Sequence, residues 1–317
     1  MMDITVIICT YNRCQSLEAA IASVLASTIP ASIHWEVLVV DNNSTDATRL
    51  VVEDMAQRCD GRVRYLFEPR QGLSCARNAG IREARGEIVA FTDDDVMVEP
   101  GWLQNLTASL GSGQWAGAGG PIVAQWTGSP PAWLPLHDQY GVAPLAMFDP
   151  HLEAGPLDES PFGANMAFRK EMFKKYGEFR ADLGRCGAKM LSNEDTEFGE
   201  RLLRGGERLR FEPAAAVRHS VPENRVRQSY FLNWWFDKAR ADVRQYGVEP
   251  DEILNVMGIP LYLFRRLLRW TFQWAVTIEP SKRFSCKTRV WRALGAIAEC
   301  YRQPSASIRV SARGRQL

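Results

Sequence analysis

The sequence predicts an α/β protein: a mostly parallel central sheet covered on both faces, followed by a C-terminal helical extension. Three observations point there. Short, continuously apolar runs alternate with segments of helical periodicity through the first hundred or so residues, the pattern of strands buried on both faces. Three of these runs end in polar clusters, and open α/β sheets bind ligands beyond the carboxyl ends of their strands. From Arg225 onward the periodicity becomes helical, and from Pro260 the chain becomes strongly basic.

Thr5-Val6-Ile7-Ile8-Cys9 reads as the first strand, and Leu17, Ile21, Val24 and Leu25 then recur at helical spacing. Val37-Leu38-Val39-Val40 is the second strand, followed by a helix over residues 45–59. Val63-Arg64-Tyr65-Leu66-Phe67 is the third, with a helix over 74–84, and Glu87-Ile88-Val89-Ala90-Phe91 is the fourth. After Pro100 the alternation is lost. Residues 100–136 carry no charge, and their Gly, Pro and Ser content makes them a poor helix candidate. Gly163-Ala164-Asn165-Met166 reads as a tight turn before a helix over 168–176, Asn193-Glu194-Asp195-Thr196-Glu197 as an acidic helix start, and a strand-like run ends in His219. Helical periodicity then continues from Arg225 to near Ile308.

Composition narrows the function classes. With 317 residues, 46% hydrophobic and 24% charged, the chain is ordinary for a globular protein. Its net charge of +1 argues against a whole-protein polyanion binder, nucleic acid included. The near-zero sum hides a division: residues 260–317 hold 12 Lys/Arg and 2 Asp/Glu, the first 259 hold 26 and 35. Seven scattered cysteines without a C-x-x-C pair fit neither a disulfide framework nor a zinc site and suggest a reducing compartment. Met1-Met2-Asp3-Ile4-Thr5 leads straight into a strand with no signal-like region. No apolar stretch reaches the roughly 18–20 residues of a membrane span. The expectation is a cytoplasmic protein.

The polar clusters carry the chemistry. Asp93-Asp94-Asp95 follows a buried strand, where clustered carboxylates are costly unless positive charge offsets them. It is either a solvated loop and helix cap or a divalent-cation site completed by phosphate oxygens and waters; its place at a strand end favours the cation. An EF-hand is excluded, because the required Gly and distal Glu are missing. Asp41, ending the second strand, suits a base N–H or a ribose hydroxyl, while Ser44 or Thr45 suits a helix cap. Cys9-Thr10-Tyr11-Asn12 stands where a nicotinamide enzyme would carry G-x-G-x-x-G. Trp115, Trp126 and Trp133 either stack on sugar faces or pack in the core.

The segments TVIICTYNR (5–13), VVDNNSTD (39–46), GLSCARNAG (72–80), GEIVAFTDDDV (86–96) and EDTEF (194–198) occur in that order. As a set they resemble family 2 glycosyltransferases, whose nucleotide-sugar-binding domain has the GT-A fold. The resemblance implies a catalytic domain over residues 1–222 and a helical, basic region over 223–317. It implies that Thr10, Tyr11, Arg13, Asp41, Asn43, Arg77, Asp93 and Asp94 hold the nucleotide sugar, and that Asp93 and Asp95, with His219 in some relatives, hold Mn²⁺ or Mg²⁺. His219 is otherwise structural. Gly163 and Asn165 match the acceptor-side segment. Asp195 matches the catalytic base and Glu194 competes for that role; both also suit a helix N-terminus, where the dipole favours anions. Cys9 stands where the family often has Pro or Thr.

The implied reaction is inverting, metal-dependent transfer of a sugar, from a UDP-sugar, to a hydroxyl of a saccharide or lipid-linked acceptor during cell-surface polysaccharide synthesis. A sugar-nucleotide pyrophosphorylase would need a Gly-rich, basic triphosphate loop after the first strand, and none is present. A non-catalytic glycan- or membrane-binding protein sits poorly with intact Asp93, Asp95 and Asp195. In the basic tail, Leu263, Leu267, Trp270 and Trp274 share one helix side, and Arg265, Arg266, Arg269 and Gln273 share another. The tail is either peripheral on an anionic membrane, such as the cytoplasmic face of the inner membrane, or packed on the catalytic body.

Overall fold

The computed structural model describes residues 2–136, 138–148, 153–248 and 255–302. The chain lays down β1 (Ile4–Thr10), α1 (Cys14–Leu25), β2 (Trp35–Asp41), α2 (Thr48–Arg58), β3 (Val63–Phe67), α3 (Leu73–Glu83), β4 (Ile88–Asp93) and β5 (Val96–Val98). Next come α4 (Trp102–Gly111), β6 (Gly117–Gly119), β7 (Ile122–Trp126), the single turn α5 (Gln139–Val142), β8 (Gly155–Leu157), β9 (Asn165–Arg169), α6 (Lys170–Tyr176), α7 (Glu194–Arg204), β10 (Leu209–Phe211) and β11 (Val217–Val221). The last elements are α8 (Gln228–Tyr246), β12 (Asn255–Val256), β13 (Ile259–Pro260), α9 (Leu261–Val276) and α10 (Pro280–Arg302).

Two compact units emerge. The first comprises Met1–Gln125, Ala146–Ala181 and Glu194–Ser220. Its eight-stranded sheet runs β3-β2-β1-β4-β9-β6-β10-β8, with β3, β2, β1 and β4 mutually parallel. Every residue of β2 is buried, which requires cover on both faces and explains the unbroken Trp-Glu-Val-Leu-Val-Val-Asp run. The register sets Thr10 of β1 beside Asp41 of β2, and Cys9 beside Asp93 of β4, so the strand-end clusters stand abreast. A smaller sheet orders β5-β11-β7.

Two segments of this unit differ from the sequence expectation. Within the uncharged 100–136 stretch, α4 forms because Trp102, Leu103, Leu106 and Leu110 make one buried stripe, and burying it outweighs the poor local propensity. Asn165–Arg169 is a strand, so the helix expected from residue 168 begins at Lys170. This segment pairs with β4 on one side and β6 on the other, and pairing on both edges overrides local preference. Below the sheet, Phe91, Phe168, Phe173, Phe179 and Phe198 interlock, with Phe173 and Phe198 stacked at 4.5 Å. That cluster fixes α7, and with it Glu194 and Asp195, against the sheet.

The second unit comprises Trp126–Leu145, Asp182–Asn193 and Val221–Leu317, so two earlier segments join the C-terminal region. The helical run expected from Arg225 is interrupted by the β12–β13 hairpin, whose two-residue loop places Met257 and Gly258 at positive φ, as a tight hairpin requires. Residues 303–308, the end of that expected run, lie outside the described residues. The helices pack on one another. Glu299 of α10 accepts from Arg240 at 2.8 Å and Arg244 at 2.6 Å, both on α8. Trp274 of α9 meets Trp291 of α10 at 6.3 Å, and the Arg289 guanidinium lies 4.2 Å from the Trp270 ring. Among the described residues no helix is long and apolar enough to cross a membrane.

Candidate active site

The site grows from the ends of β1, β2 and β4. Thr10 Oγ1 donates to Asp94 Oδ2 at 2.8 Å. Arg13 Nη1 then spans two carboxylates, Asp94 Oδ1 at 3.0 Å and Asp95 Oδ2 at 2.6 Å. Burial pushes the Asp94 carboxyl above its usual range, and the guanidinium and Thr10 oppose that push. Two further links tie the β1 end to the β2 end: Asn12 N–H donates to Ser44 Oγ at 2.9 Å, and Thr45 N–H donates to Asn12 Oδ1 at 2.7 Å. Ser44 and Thr45 therefore join two strand ends instead of capping α2, which begins at Thr48. Asp46 accepts from the amides of Cys14 and Thr48, both at 3.0 Å.

Asp41 is buried, with Oδ1 accepting from Ser44 N–H and Oδ2 from the Tyr65 hydroxyl, each at 2.8 Å. Burial and then Asp41 itself push the Tyr65 hydroxyl up to about 12, so it remains a donor. Neighbouring Asn42 acts as a latch: its side chain donates to the carbonyls of Glu68 and Arg70 and accepts from Gly72 N–H at 2.8 Å. The latch anchors the start of α3, which carries Arg77. Tyr11 and Asn43 are exposed beside these groups, Asn43 with φ 67°.

Arg77 is buried and reaches three partners: Glu194 Oε1 at 2.6 Å, Asp93 Oδ1 at 3.6 Å and the Gly163 carbonyl at 3.3 Å. Burial disfavours its charge, but Glu194, Asp93 and Asp195 outweigh that and raise its pKa, so the cation persists. Asp195 Oδ2 accepts from Gly163 N–H at 2.7 Å, and its Oδ1 accepts from Thr196 N–H at 2.7 Å. Ser160 Oγ donates to the Asp195 carbonyl at 2.8 Å. The Cys9 thiol next to this group is pushed up to about 12 by burial and stays neutral.

Gly163 and Asn165 part company here. Gly163 borders both Arg77 and Asp195, whereas Asn165 is 0% exposed and spends its amide internally. It donates to the carbonyls of Pro121 and Ala215 and accepts from Trp102 Nε1 at 2.8 Å. Expected at the acceptor side, Asn165 is instead a strut under the sheet end, because a buried amide must satisfy itself within the protein.

Antiparallel pairing of β11 with β5 sets His219 opposite Val96. Its Nε2 comes to 3.4 Å from Asp95 Oδ1, although the two residues are far apart in sequence. These two groups would suit one divalent ion, with the remaining positions left to phosphate oxygens and waters. Asp93, expected as a third ligand, turns toward Arg77 instead. Among the described residues no cluster of three or more His, Cys, Asp or Glu gathers in metal-binding geometry.

The family model for glycosyl transferase family 2 matches residues 5–177, more than half of the chain. The chain belongs to glycosyl transferase family 2. The succinoglycan biosynthesis protein ExoM of Rhizobium meliloti is 28% identical over 261 residues, spanning 82% of this glycosyltransferase and 80% of the relative. The glucosyl-dolichyl phosphate glucuronosyltransferase of Haloferax volcanii is 29% identical over 248 residues, spanning 74% and 75%. Among solved structures, the mannosyltransferase PcManGT from Pyrobaculum calidifontis, in complex with GDP-Man and Mn²⁺, superposes with a TM-score of 0.55 at 20% identity, covering 95% of this chain and 76% of that one. TarS 1–349 of S. aureus gives 0.52 at 16% identity, covering 95% and 92%. The fold is the GT-A fold.

The tryptophans of this glycosyltransferase divide. Trp115 is buried under the guanidinium groups of Arg208 and Arg210, and Trp133 packs on Phe231 and Phe284. Trp126 is half-buried on β7. Sequence reasoning missed Asn12, Asn42, Tyr65 and Ser160. Asn12 left a trace, since an Asn just past a strand end tolerates positive φ, and here it has φ 52°. Tyr65 and Ser160 left none, because their roles depend on long-range pairing.

Proposed function

We propose that this glycosyltransferase moves a sugar from a nucleoside diphosphate sugar, in the first instance a UDP-sugar, to a hydroxyl of a saccharide or lipid-linked acceptor, with inversion and with Mn²⁺ or Mg²⁺. Cell-surface polysaccharide synthesis is the setting that ExoM's name supports, and the dolichyl phosphate in the archaeal relative's name supports a lipid-linked acceptor. The observation that carries the reading is Arg77. One buried guanidinium ties Asp93, at the donor end of β4, to Glu194, in the first turn of α7, so donor-side and base-side carboxylates meet at one point.

In this reading Tyr11, Arg13, Asp41, Asn43 and Asp93 receive the nucleotide, and Asp95 with His219 receives the metal. A bound cation would supply positive charge to the diphosphate as its negative charge grows. Asp195 takes the proton of the acceptor hydroxyl as that oxygen bonds to the anomeric carbon, and the bond from that carbon to the diphosphate oxygen breaks on the opposite side. Asp195 suits the role better than Glu194, because Glu194 is buried in its ion pair with Arg77. Gly163 N–H holds the Asp195 carboxylate in place.

Calorimetric titration with a panel of UDP- and GDP-sugars, with and without Mn²⁺, tests donor and metal together. Asp95→Ala should remove the Mn²⁺-dependent part of the affinity; an unchanged Mn²⁺ dependence takes Asp95 out of the site. Asp195→Asn should bind donor normally yet lose about 10²–10⁴-fold in transfer rate. Near-normal transfer would move the base away from Asp195, and product anomeric configuration read by NMR checks inversion.

A further inference from the structure

The tryptophan side of α9, the apolar face evident in the sequence, is turned toward α10. Trp274 contacts Trp291, Lys287 Nζ lies 5.5 Å from the Trp274 ring, and Arg289 covers Trp270. Only Leu263 of α9 is fully buried. The helix carries a second apolar stripe on its outward side: Leu268 is 72% exposed, Phe272 68% and Val276 57%, and Ile278 just beyond the helix is 91% exposed. Residues 268, 272 and 276 stack on one helical face, and Arg265 and Arg269, both exposed, fall on the same arc. The first turn of α10 adds exposed Lys282, which pairs with Glu279 at 2.6 Å, and exposed Arg283. Between residues 261 and 283 there are five Arg/Lys against one acid, Glu279, and α9 itself contains no Asp or Glu.

We propose that the outward face of α9 binds an anionic lipid bilayer, with Leu268, Phe272, Val276 and Ile278 entering the interface and Arg265, Arg269, Lys282 and Arg283 meeting the headgroups. The stripe from Leu268 to Val276 is about 12 Å long at 1.5 Å per residue. An apolar stripe edged with arginine is the composition of helices that lie in the membrane plane, and the missing acids make the face complementary to anionic lipid. Pairing of two copies through this face is disfavoured. A second copy would bring the same arginine-edged face, with no acid on α9 to offset it. The inference is independent of donor, metal and base.

Flotation of the full chain with phosphatidylglycerol–phosphatidylcholine vesicles, and with phosphatidylcholine vesicles alone, tests it. Binding should require phosphatidylglycerol and weaken as added salt shortens the screening length. The pair Leu268→Glu/Phe272→Glu and the pair Arg265→Glu/Arg269→Glu should each lower vesicle affinity by at least about tenfold. Both pairs should leave melting temperature and donor binding unchanged, since these side chains are exposed. If the first pair fails to fold, Leu268→Gln/Phe272→Gln replaces it with the same expectation. The proposal is overturned if the native chain does not float with anionic vesicles, or if it floats equally with every variant. It is also overturned if the native chain is a dimer in lipid-free solution and either pair makes it a monomer, which would give the face to a second copy.

Discussion

At the residue scale the site depends on one small residue. A Cβ added to Gly163 would lie 2.5 Å from Arg77 Nη2 and 3.1 Å from its Cζ. Arg77 has little room to yield, because it is buried, sits about 6 Å from the centres of the Phe91 and Phe179 rings and is paired with Glu194. Gly163→Ala should therefore destabilise by about 1–3 kcal/mol, as overpacking does. It should also weaken donor binding, because Arg77 is displaced from Asp93, and slow transfer, because the amide of residue 163 is displaced from Asp195. Gly111→Ala, where an added Cβ meets nothing within 4 Å, is the matching control and should be neutral or stabilising by up to about 1 kcal/mol. Denaturant melts and donor titrations of the two variants check this, and equal behaviour would remove Gly163 from its role. The same closeness accounts for a glycine in the Gly-Ala-Asn-Met segment, since any side chain at 163 would compete with the guanidinium for space.

At the element scale, short connections do the positioning. Asp46 ties the first turn of α1 to the first turn of α2 through the amides of Cys14 and Thr48 and the Thr48 hydroxyl. Burial nudges its carboxyl upward, but those hydrogen bonds prevail and hold it at about 2, below its ordinary value of 3.8. A depressed folded-state pKa means stabilisation that is complete above about pH 4 and fades as pH falls toward 2. Asp46→Ala should cost about 1 kcal/mol at neutral pH, comparable to losing a helix cap in a solvent-screened position. The gap to the native chain should hold down to about pH 4 and close below it, as read by denaturant melts at stepped pH; a constant gap would mean that Asp46 acts through packing alone. Elements of this kind mark the limit of what local sequence reveals. Strands β1 to β4 were legible because burial on both faces imposes unbroken apolar runs, and the strand-end clusters were legible because topology puts ligands there. Strand β9 was not, because its pairing with β4 and β6 joins segments some 50 to 80 residues apart. The approach of His219 to Asp95 exists only once β11 lies against β5, so it was anticipated through the family resemblance and not from local pattern.

At the scale of the whole chain, the division into an acidic stretch and a basic tail cuts through a folded unit. The acids that meet the tail's bases include Asp242 of α8, which pairs with Arg292 of α10 at 3.6 Å. The one deeply buried acid of the tail, Glu299, is answered from the other side of the division by Arg240 and Arg244 of α8. Part of the tail's charge is thus spent inside its own unit, while among the described residues Arg265 and Arg269 of α9 and Lys282 and Arg283 of α10 are exposed. Glu299 is almost wholly buried; burial raises its pKa, and Arg244 and Arg240 outweigh that and lower it. Such a group is held by its partners, and its partners are held by it. Glu299→Ala should therefore cost about 3 kcal/mol, because Arg244 would lose its buried counter-charge and Arg240 would keep only Asp237. Glu299→Gln, which keeps the shape and a single acceptor oxygen, should cost less. Chemical denaturation followed by tryptophan fluorescence suits the measurement, since Trp234 and Trp235 lie on α8 and Trp291 on α10. A loss below about 0.5 kcal/mol for Glu299→Ala would show that the α8–α10 pairing rests on apolar contacts such as Phe231 on Phe284, with the ion pairs setting register instead of stability.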